Sequence, residues 1–171
     1  VAVKDNICFM GAGGEIQVWD VSDIAQPFKK GTITTRGIIM DLKINHDFLY
    51  ASCGNDGLHI YDISQPRNPQ RVSSISTRQW TQSVSFVSHY LYKCDSIGGI
   101  DIIDISNPVS PRNILNVTVQ GESQQIFITN EFAYLAAGEA GLYIFDVSNP
   151  ESLKEKARYE LDSPVKHVFI Q

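Results

Sequence analysis

A unit of 42 residues recurs four times along this chain of 171 residues, and the repeat limits the fold more than any other feature of the sequence. The segments GEIQVWDVSDIAQP (14–27), DGLHIYDISQPRNP (56–69), GGIDIIDISNPVSP (98–111) and AGLYIFDVSNPESL (140–153) align without a gap. The units cover residues 1–39, 40–81, 82–123 and 124–164 approximately, and residues 165–171 begin or close a further unit. Such a chain is typical of an array in which each unit packs on its neighbours.

Residues 40–82 show most clearly how one unit folds. Alternating or β-branched runs predict strands over 40–44, 48–53, 58–63 and 71–77. Asn, Asp and Gly in the connection 54–57 tolerate positive φ angles, and the prolines after the third strand end it because they lack an amide donor. Four short antiparallel strands in each unit predict an all-β protein made of β-propeller blades, with the first strand near the axis and the fourth at the rim.

The third strands of the four units contain the sequences IQVWDVS, LHIYDIS, IDIIDIS and LYIFDVS. This run resembles the signature of the LVIVD repeat family, and the resemblance covers essentially the whole chain. It implies propeller-type blades and a protein that is secreted or displayed on a cell surface. The family has no common catalytic residues, so the resemblance supports the fold far more than a function.

An aspartate and, two residues later, a serine end the third strand of every unit. Each aspartate can accept hydrogen bonds from turn amides, and the serine can do the same more weakly. We therefore interpret the pair as a structural staple of the turn rather than a cation site, since the end of this strand should lie away from the axis. The residues are Asp20, Ser22, Asp62, Ser64, Asp104, Ser106, Asp146 and Ser148.

Two features of the repeat predict core positions. An aromatic residue recurs in the second strand at Tyr50, Tyr92 and Tyr134, and the alignment places Cys8 there in the first unit. Trp19 belongs to the apolar set of the third strand, which should be covered on both faces because neighbouring blades enclose it.

The two ends of the chain match the same innermost strand, since Val165–Gln171 repeat it and Val1–Val3 fill its last three places. Three arrangements follow. The chain is part of a longer array, or it closes a four-bladed ring with its C-terminal segment, or two chains pair into one eight-bladed ring. The first is favoured, because an exposed half-strand is a liability for edge pairing.

Composition excludes several classes of function. The formal net charge is −5 and the 14 Lys and Arg residues are scattered, so no nucleic-acid partner is expected. No apolar run is long enough to span a membrane, and no signal peptide is visible. The three cysteines, Cys8, Cys53 and Cys94, lack zinc-site spacing, so we expect neither a metal nor another cofactor.

The loops that differ between units are the candidate binding site, because shared positions maintain the scaffold. These loops should surround one mouth of the propeller channel. Trp80, which lies beside Arg78 in the sequence, could anchor a sugar or a peptide, or it could pack over the channel mouth. Arg36 and Arg78 could frame an anionic ligand, or they could be solvated surface charges. The candidate ligand-binding residues are Arg36, Arg78, Trp80, Gln82, Glu122 and Asp162.

The sequence favours a non-enzymatic scaffold for protein or carbohydrate binding at a cell surface or outside the cell. No HExxH, GxSxG or phosphate-binding loop is present. The alternatives are a propeller enzyme, such as a sugar hydrolase or lyase, and a purely structural spacer within a larger protein. An enzyme would draw on carboxylates or a histidine at the channel mouth, for which the candidates are Asp41, Glu122, Asp162 and His167.

Overall fold

The computed structural model describes residues 1–170 and contains four antiparallel sheets of four strands each, with no helix in this part of the chain. Each sheet uses consecutive strands in chain order and forms one blade, so the predicted all-β blade architecture is confirmed. Blade 1 contains β1 (Ala2–Lys4), β2 (Ile7–Ala12), β3 (Glu15–Asp20) and β4 (Phe28–Thr34), and blade 2 contains β5 (Asp41–Asn45), β6 (Phe48–Ser52), β7 (Leu58–Asp62) and β8 (Gln70–Ile75). Blade 3 contains β9 (Thr81–Val87), β10 (Tyr90–Asp95), β11 (Gly99–Asp104) and β12 (Arg112–Val117), and blade 4 contains β13 (Gln125–Ile128), β14 (Phe132–Ala136), β15 (Leu142–Asp146) and β16 (Lys154–Tyr159).

Glycine is required where the second strand turns into the third. Gly57, Gly99 and Gly141 have φ angles of 81°, 82° and 85°, a region that other residues rarely adopt. A Cβ atom on Gly99 would lie 2.1 Å from the carbonyl oxygen of Val117. Three of the four units therefore keep glycine here for backbone reasons, whereas the first has Glu15.

Consecutive blades pack through their inner strands, with β1 beside β5, β5 beside β9, and β9 beside β13. Apolar side chains fill the space between each pair of blades, and each of the three cores is formed by two neighbouring blades. A single blade could not bury these side chains alone, which explains why the units occur as an array.

The aromatic position of the second strand is present in all four blades. Phe9 pairs with Val18 as Tyr50 pairs with Ile60, so Phe9 and not Cys8 is the first-blade equivalent. The ungapped alignment misplaced it because blade 1 has one residue fewer between its second-strand aromatic and its third strand. Trp19 also differs from expectation, since it is only partly buried. Within residues 1–170, no other blade packs on the side of blade 1 that carries Trp19.

One backbone hydrogen bond recurs at every junction between blades. The amide nitrogens of Ile39, Thr81, Ser123 and Val165 donate to the carbonyl oxygens of Gly13, Gly54, Ser96 and Gly138, at 2.8, 3.0, 2.9 and 3.0 Å. The donors are 42 residues apart, so Val165 lies where the inner strand of a further blade would begin. The segment 165–170 thus lies against blade 4, while β1 pairs with β2 as the inner strand of blade 1.

Candidate functional site

The variable loops meet at one end of the blades, which we call the top face. Because neighbouring strands are antiparallel, the second-to-third strand loops and the connections to the next blade emerge at this same end. Backbone hydrogen bonds join them, such as that from Ser96 N to Trp80 O at 2.9 Å. The top face is therefore a continuous surface built from several blades.

Arg36 and Arg78 occupy equivalent positions at successive blade junctions. The backbone nitrogen of Arg36 donates to Asp56 Oδ2 at 3.1 Å, which fixes the loop while the side chain stays exposed. Arg78 N lies 3.4 Å from Asp95 Oδ2, and its guanidinium Nη2 lies 3.7 Å from Asp101 Oδ1. About half of the Arg78 side chain remains accessible, at 51%. Both arginines are thus held at the backbone and can present their guanidinium groups.

Each of these arginines lines a polar cleft between two blades. The cleft between blades 1 and 2 has a volume of about 560 Å³ and also contains Asp56, His59 and Arg71. The cleft between blades 2 and 3 has a volume of about 630 Å³ and is lined by Asp101, Asn116 and several hydroxyl groups besides Arg78. Equivalent positions thus form two clefts of different chemistry, since His59 in one corresponds to Asp101 in the other.

The corresponding position between blades 3 and 4 is occupied by a side chain. Arg158 stacks on Tyr143, with its guanidinium carbon 5.0 Å from the ring centre. Its Nη1 donates to Gln120 Oε1 at 2.9 Å, and Gln120 is the equivalent of Arg36 and Arg78. At this junction the protein's own Arg158 side chain therefore takes the place that the clefts leave open at the other two junctions.

His59 is a buried histidine in the cleft between blades 1 and 2. Its Nε2 lies 3.2 Å from Asp56 Oδ2 and its Nδ1 lies 3.2 Å from the Tyr61 hydroxyl. Burial lowers the pKa of His59, although the carboxylate of Asp56 opposes this shift. The imidazole therefore favours its neutral form, in which it bridges the two neighbours by hydrogen bonds.

A buried ionic cluster lies beneath Arg78 and was missed by sequence reasoning. Lys93 is fully buried, and its Nζ lies 2.6 Å from Asp95 Oδ2 and 3.0 Å from Asp101 Oδ2. Asp95 also accepts a hydrogen bond from the Thr81 hydroxyl at 2.9 Å. The available signal was a lysine within an apolar strand, opposite an aspartate of the next strand. The cluster connects the interior of blade 3 to the loop of Arg78.

The inner strands form a central pocket of about 330 Å³ at the channel. Asp41 Oδ2 accepts hydrogen bonds from Ser83 Oγ at 3.0 Å and Val84 N at 3.3 Å, which join the inner strands of blades 2 and 3. Gln125 Oε1 likewise accepts from Val168 N at 2.8 Å. The pocket is lined by Met40, Asp41, Gln82, Ser83, Gln124, Gln125, Lys166 and His167.

The structure separates the remaining sequence-predicted site residues. Trp80 is partly buried and packs its indole over Gly54, where a Cβ atom would lie 2.7 Å from Trp80 Cε2. Gln82 lines the central pocket instead of the clefts. Glu122 and Asp162 are exposed, and Glu122 Oε2 accepts a hydrogen bond from Gln124 at 3.3 Å. The six candidates therefore share the top face but not one cavity.

The Asp and Ser pairs lie at the opposite end of the blades. The serine nitrogen donates to the aspartate Oδ1 in all four units, at 3.0, 2.8, 2.8 and 2.9 Å in chain order. Arg67 Nη2 also lies 3.0 Å from Asp20 Oδ2, and Arg112 Nη2 lies 2.6 Å from Asp104 Oδ2.

These contacts lower the pKa of all four carboxyl groups. The hydrogen bond from Arg112 holds the pKa of Asp104 well below its usual range. Hydrogen bonds from Ser148 lower the pKa of Asp146 to about 2, with help from Lys156. Those from Ser22 and Ser64 lower the pKa of Asp20 and Asp62. The carboxylates are thus bound to their turns in the charged form.

Two kinds of candidate site are absent from residues 1–170. No group of three or more His, Cys, Asp or Glu side chains is placed to hold a metal ion in this range. Within the same residues, no helix has the length and apolar character needed to cross a bilayer. All three cysteines are free, and burial raises the pKa of Cys53 and Cys94 to about 12.

Comparison with solved structures identifies the fold. The computationally designed protein Ika8 superposes with a TM-score of 0.77 at 14% identity, covering 99% of this chain and 51% of Ika8. The designed protein Ika4 gives a TM-score of 0.69 at 15% identity, covering 84% of this chain and 87% of Ika4. Both are designed propeller proteins, and the chain spans about half the length of Ika8. At this identity the likeness shows the fold alone.

Sequence comparison gives the family. No curated protein sequence matches the chain significantly. The model of the LVIVD repeat matches three consecutive segments, residues 36–77, 80–119 and 120–160. These segments cover most of the chain and coincide with three of the four repeat units. The chain therefore belongs to the LVIVD repeat family.

Proposed function

We propose that this propeller-type scaffold is a non-enzymatic protein that binds a protein partner through its top face. The supporting observation is a set of exposed apolar side chains in the loops of the same face that presents the two arginines. Ile38 is 51% exposed, Ile97 is 64% exposed and Leu161 is 58% exposed, all in top-face connections. Apolar and arginine side chains together are typical of protein interfaces.

The loops that present these residues are fixed by the scaffold, which favours binding. Arg36 and Arg78 are held at the backbone by Asp56 and Asp95, and Trp80 rests on Gly54. A partner would therefore order few loop residues, and the entropy cost of association would be small. We place the protein outside the cell or on a cell surface, as the family resemblance implies.

The test combines selection with a matched control. A displayed peptide library is selected on the wild-type protein, and the enriched peptides are measured against the double variant Arg78→Ala with Trp80→Ala. We expect a loss of affinity of at least about tenfold, as for a hot-spot anchor. The control replaces Phe28 and Lys30 by alanine, since this is also an aromatic residue with a nearby cation, Lys30 Nζ lying 4.2 Å from the Phe28 ring centre, but away from the top face. Peptides bound equally by both variants would place the site elsewhere.

A second candidate is carbohydrate binding in the cleft between blades 2 and 3. Asp101, Asn113 and Asn116 line this cleft with Arg78, and such groups match sugar hydroxyls, which both donate and accept hydrogen bonds. Saturation-transfer NMR with a panel of oligosaccharides tests it. Signals that disappear in Asn113→Ala would favour the sugar, and their absence across the panel would leave the protein partner.

An enzyme at the channel mouth has weaker support. Asp41 and His167 both line the central pocket, but the Asp41 carboxylate already joins two inner strands through Ser83 and Val84. A general acid or base needs a free position toward its substrate. Turnover of any glycoside in a broad screen, lost in His167→Ala, would contradict the non-enzymatic proposal.

A further inference from the structure

The cleft between blades 1 and 2 carries more positive than negative charge. Arg36 lines it from the connection between the two blades, and Arg71 lines it from β8 at the rim of blade 2. Asp56 is the single carboxylate among the lining residues within 1–170, and the buried His59 favours its neutral form. Two guanidinium groups are thus matched by one carboxylate, so the cleft is positive although the whole chain has a net charge of −5.

Both arginines of this cleft lack an acidic partner within residues 1–170. The side chains of Arg36 and Arg71 are exposed and form no ion pair in this part of the chain. The other four arginines do form ion pairs with carboxylates there, and they are Arg67, Arg78, Arg112 and Arg158. Two guanidinium groups that approach one cleft from different elements, without a carboxylate between them, form an arrangement suited to an external anion.

The one carboxylate of the cleft is engaged by other groups. Asp56 Oδ2 accepts a hydrogen bond from the backbone nitrogen of Arg36 at 3.1 Å and lies 3.2 Å from His59 Nε2. Burial lowers the pKa of His59, and the positive charge of Arg71 acts in the same direction. The field of Arg71 therefore reaches the imidazole, and Asp56 holds a loop and a histidine instead of neutralising a guanidinium group.

The loop that carries Arg36 is fixed between the two blades. Thr35 Oγ1 lies 3.0 Å from the carbonyl oxygen of Gly14 and 2.7 Å from that of Gly37. A Cβ atom on Gly37 would lie 1.7 Å from the carbonyl oxygen of Cys53, so this loop packs directly on blade 2. A ligand would therefore order little more than the two arginine side chains, which keeps the entropy cost of binding small.

Hydroxyl groups add neutral donors to the same cleft. Thr34 lines it from blade 1, and Ser74 and Ser76 line it from the rim of blade 2. A hydroxyl group can donate a hydrogen bond to an anion without adding charge. The cleft volume of about 560 Å³ is within the range of ligand pockets, so it can hold a group attached to the anion as well as the anion itself.

The equivalent cleft between blades 2 and 3 lacks this surplus of charge. The repeat spacing places Arg78, Asp101 and Asn113 there at the positions of Arg36, His59 and Arg71. Arg78 Nη2 lies 3.7 Å from Asp101 Oδ1, so its charge already has a partner. The same scaffold thus provides one cleft with two unpaired arginines and one whose single lining arginine is paired.

We propose that the cleft between blades 1 and 2 binds a tetrahedral oxyanion, the phosphate or sulfate group of a ligand, through Arg36 and Arg71. One guanidinium fork is enough for the two oxygens of a carboxylate, whereas a phosphate or sulfate ester offers three oxygens and can be bound by two forks from different sides. The site goes beyond the proposed protein interface, because its ligand differs and Arg71 belongs only to the cleft.

The test is an NMR titration that follows the backbone amides of the cleft and the Nε signals of Arg36 and Arg71. The probes are phenyl phosphate, phenyl sulfate, inorganic phosphate and acetate, each added at constant ionic strength. We expect saturable shifts with both esters and a Kd of about 1 mM, and binding of acetate that is weaker by at least about fivefold. Tighter binding of the esters would assign the cleft to an anionic group on a larger ligand, and equal binding of inorganic phosphate to the free ion.

Variants decide whether the two arginines carry the binding. Arg36→Gln and Arg71→Gln should each weaken phenyl phosphate binding by about tenfold, because each removes charge-assisted hydrogen bonds. Arg78→Gln is the matched control, since it removes the same charge from the equivalent position of the next cleft, and it should keep the wild-type affinity for phenyl phosphate. Thermal unfolding of every variant confirms that the fold is intact.

Three results would overturn the proposal: an absence of saturable shifts with every oxyanion, acetate binding as tight as that of the esters, or an equal loss in Arg78→Gln and Arg71→Gln. The protein-partner proposal is tested separately, because the selected peptides are measured against the variant of Arg78 and Trp80. Peptides that bind normally to Arg71→Gln while phenyl phosphate does not would show that the two sites are independent.

Discussion

Blades 3 and 4 have the same backbone arrangement, but blade 3 contains buried charged side chains where blade 4 contains apolar or aromatic ones. In blade 3, Lys93 pairs across the strands with Asp101 and lies next to Asp95. In blade 4, the equivalent cross-strand pair is Leu135 with Tyr143, and all of these positions are buried in both blades. The repeat therefore fixes the path of the chain and the burial of a position, but not the chemistry that fills it.

Comparing the two blades shows what an ionic interior contributes. Buried ion pairs often add little net stability, since desolvation offsets the attraction between the charges. In blade 3, however, Asp95 also binds the nitrogen of Arg78 and the hydroxyl of Thr81. In blade 4 the equivalent position is Ala137, which has no polar side chain. We infer that the cluster of blade 3 positions the top-face loop rather than strengthening the core.

The largest expected effect comes from removing the buried cation of this cluster, Lys93. Lys93→Met should reduce the free energy of unfolding by about 3–5 kcal/mol, because Asp95 would remain buried without a cation and Asp101 would keep only the half-exposed Arg78. Urea denaturation measures the loss. The matched control Leu135→Met, at the same position of blade 4, should cost less than about 1.5 kcal/mol. Equal small losses would mean that the two interiors do not differ energetically.

A complete exchange should reverse this loss. The triple variant Lys93→Leu, Asp95→Ala and Asp101→Tyr copies blade 4 into blade 3 and leaves no unpaired buried charge. We expect it to be as stable as the wild type or more stable, by up to about 4 kcal/mol. The amides of Arg78 and Thr81 should nevertheless exchange hydrogen faster, because the loop loses Asp95. Unchanged exchange would show that the cluster does not hold the loop.

A smaller effect concerns the pH dependence of stability from the Asp and Ser turns of blades 3 and 4, which lie at the end opposite the top face. The folded pKa of Asp104 and of Asp146 is below the unfolded value near 3.8, and that of Asp146 is about 2. Each carboxylate therefore stabilises the fold fully above about pH 4, and this contribution is lost progressively as the pH falls through the folded pKa of that group, which lies lower for Asp104 than for Asp146. Asp104→Asn should flatten the loss of stability between pH 5 and 2 more than Asp146→Asn does. Urea midpoints across this range would show the order, and an inverted order would contradict it.

The smallest effect concerns Cys94, whose blade 4 equivalent is Ala136. Cys94→Ala should cost only about 1 kcal/mol, since a buried free cysteine behaves as a small apolar residue. Burial raises the pKa of its thiol to about 12, so no thiolate forms near neutral pH and a thiol reagent should modify it only after unfolding. Rapid modification of Cys94 in the folded protein would show that blade 3 opens locally.

Most of the fold could be predicted from the repeat. The 42-residue spacing, the glycines and prolines in the turns, and the alternation of apolar residues in the strands all indicated the same four-stranded unit. The alignment failed at Cys8, where one missing residue in a loop shifted the aromatic position to Phe9. Trp19, which the repeat predicts to be covered on both faces, is only partly buried within residues 1–170, where no other blade packs on its side of blade 1. The top-face loops were located correctly as a group, but their division between two clefts and a central pocket depends on side-chain packing. The Lys93 cluster could not be predicted from catalytic or metal-binding motifs, because its residues match none of them.

The recurring junction hydrogen bond has a consequence for synthesis on the ribosome. Every bond joins a finished blade to the first residues of the segment that follows it, so a nascent chain meets its docking point as soon as those residues emerge. Each blade also consists of strands adjacent in sequence, and such local contacts form quickly. We expect the protein to fold vectorially, with each completed blade acting as the template on which the next is laid down, as the segment beginning at Val165 already is on blade 4.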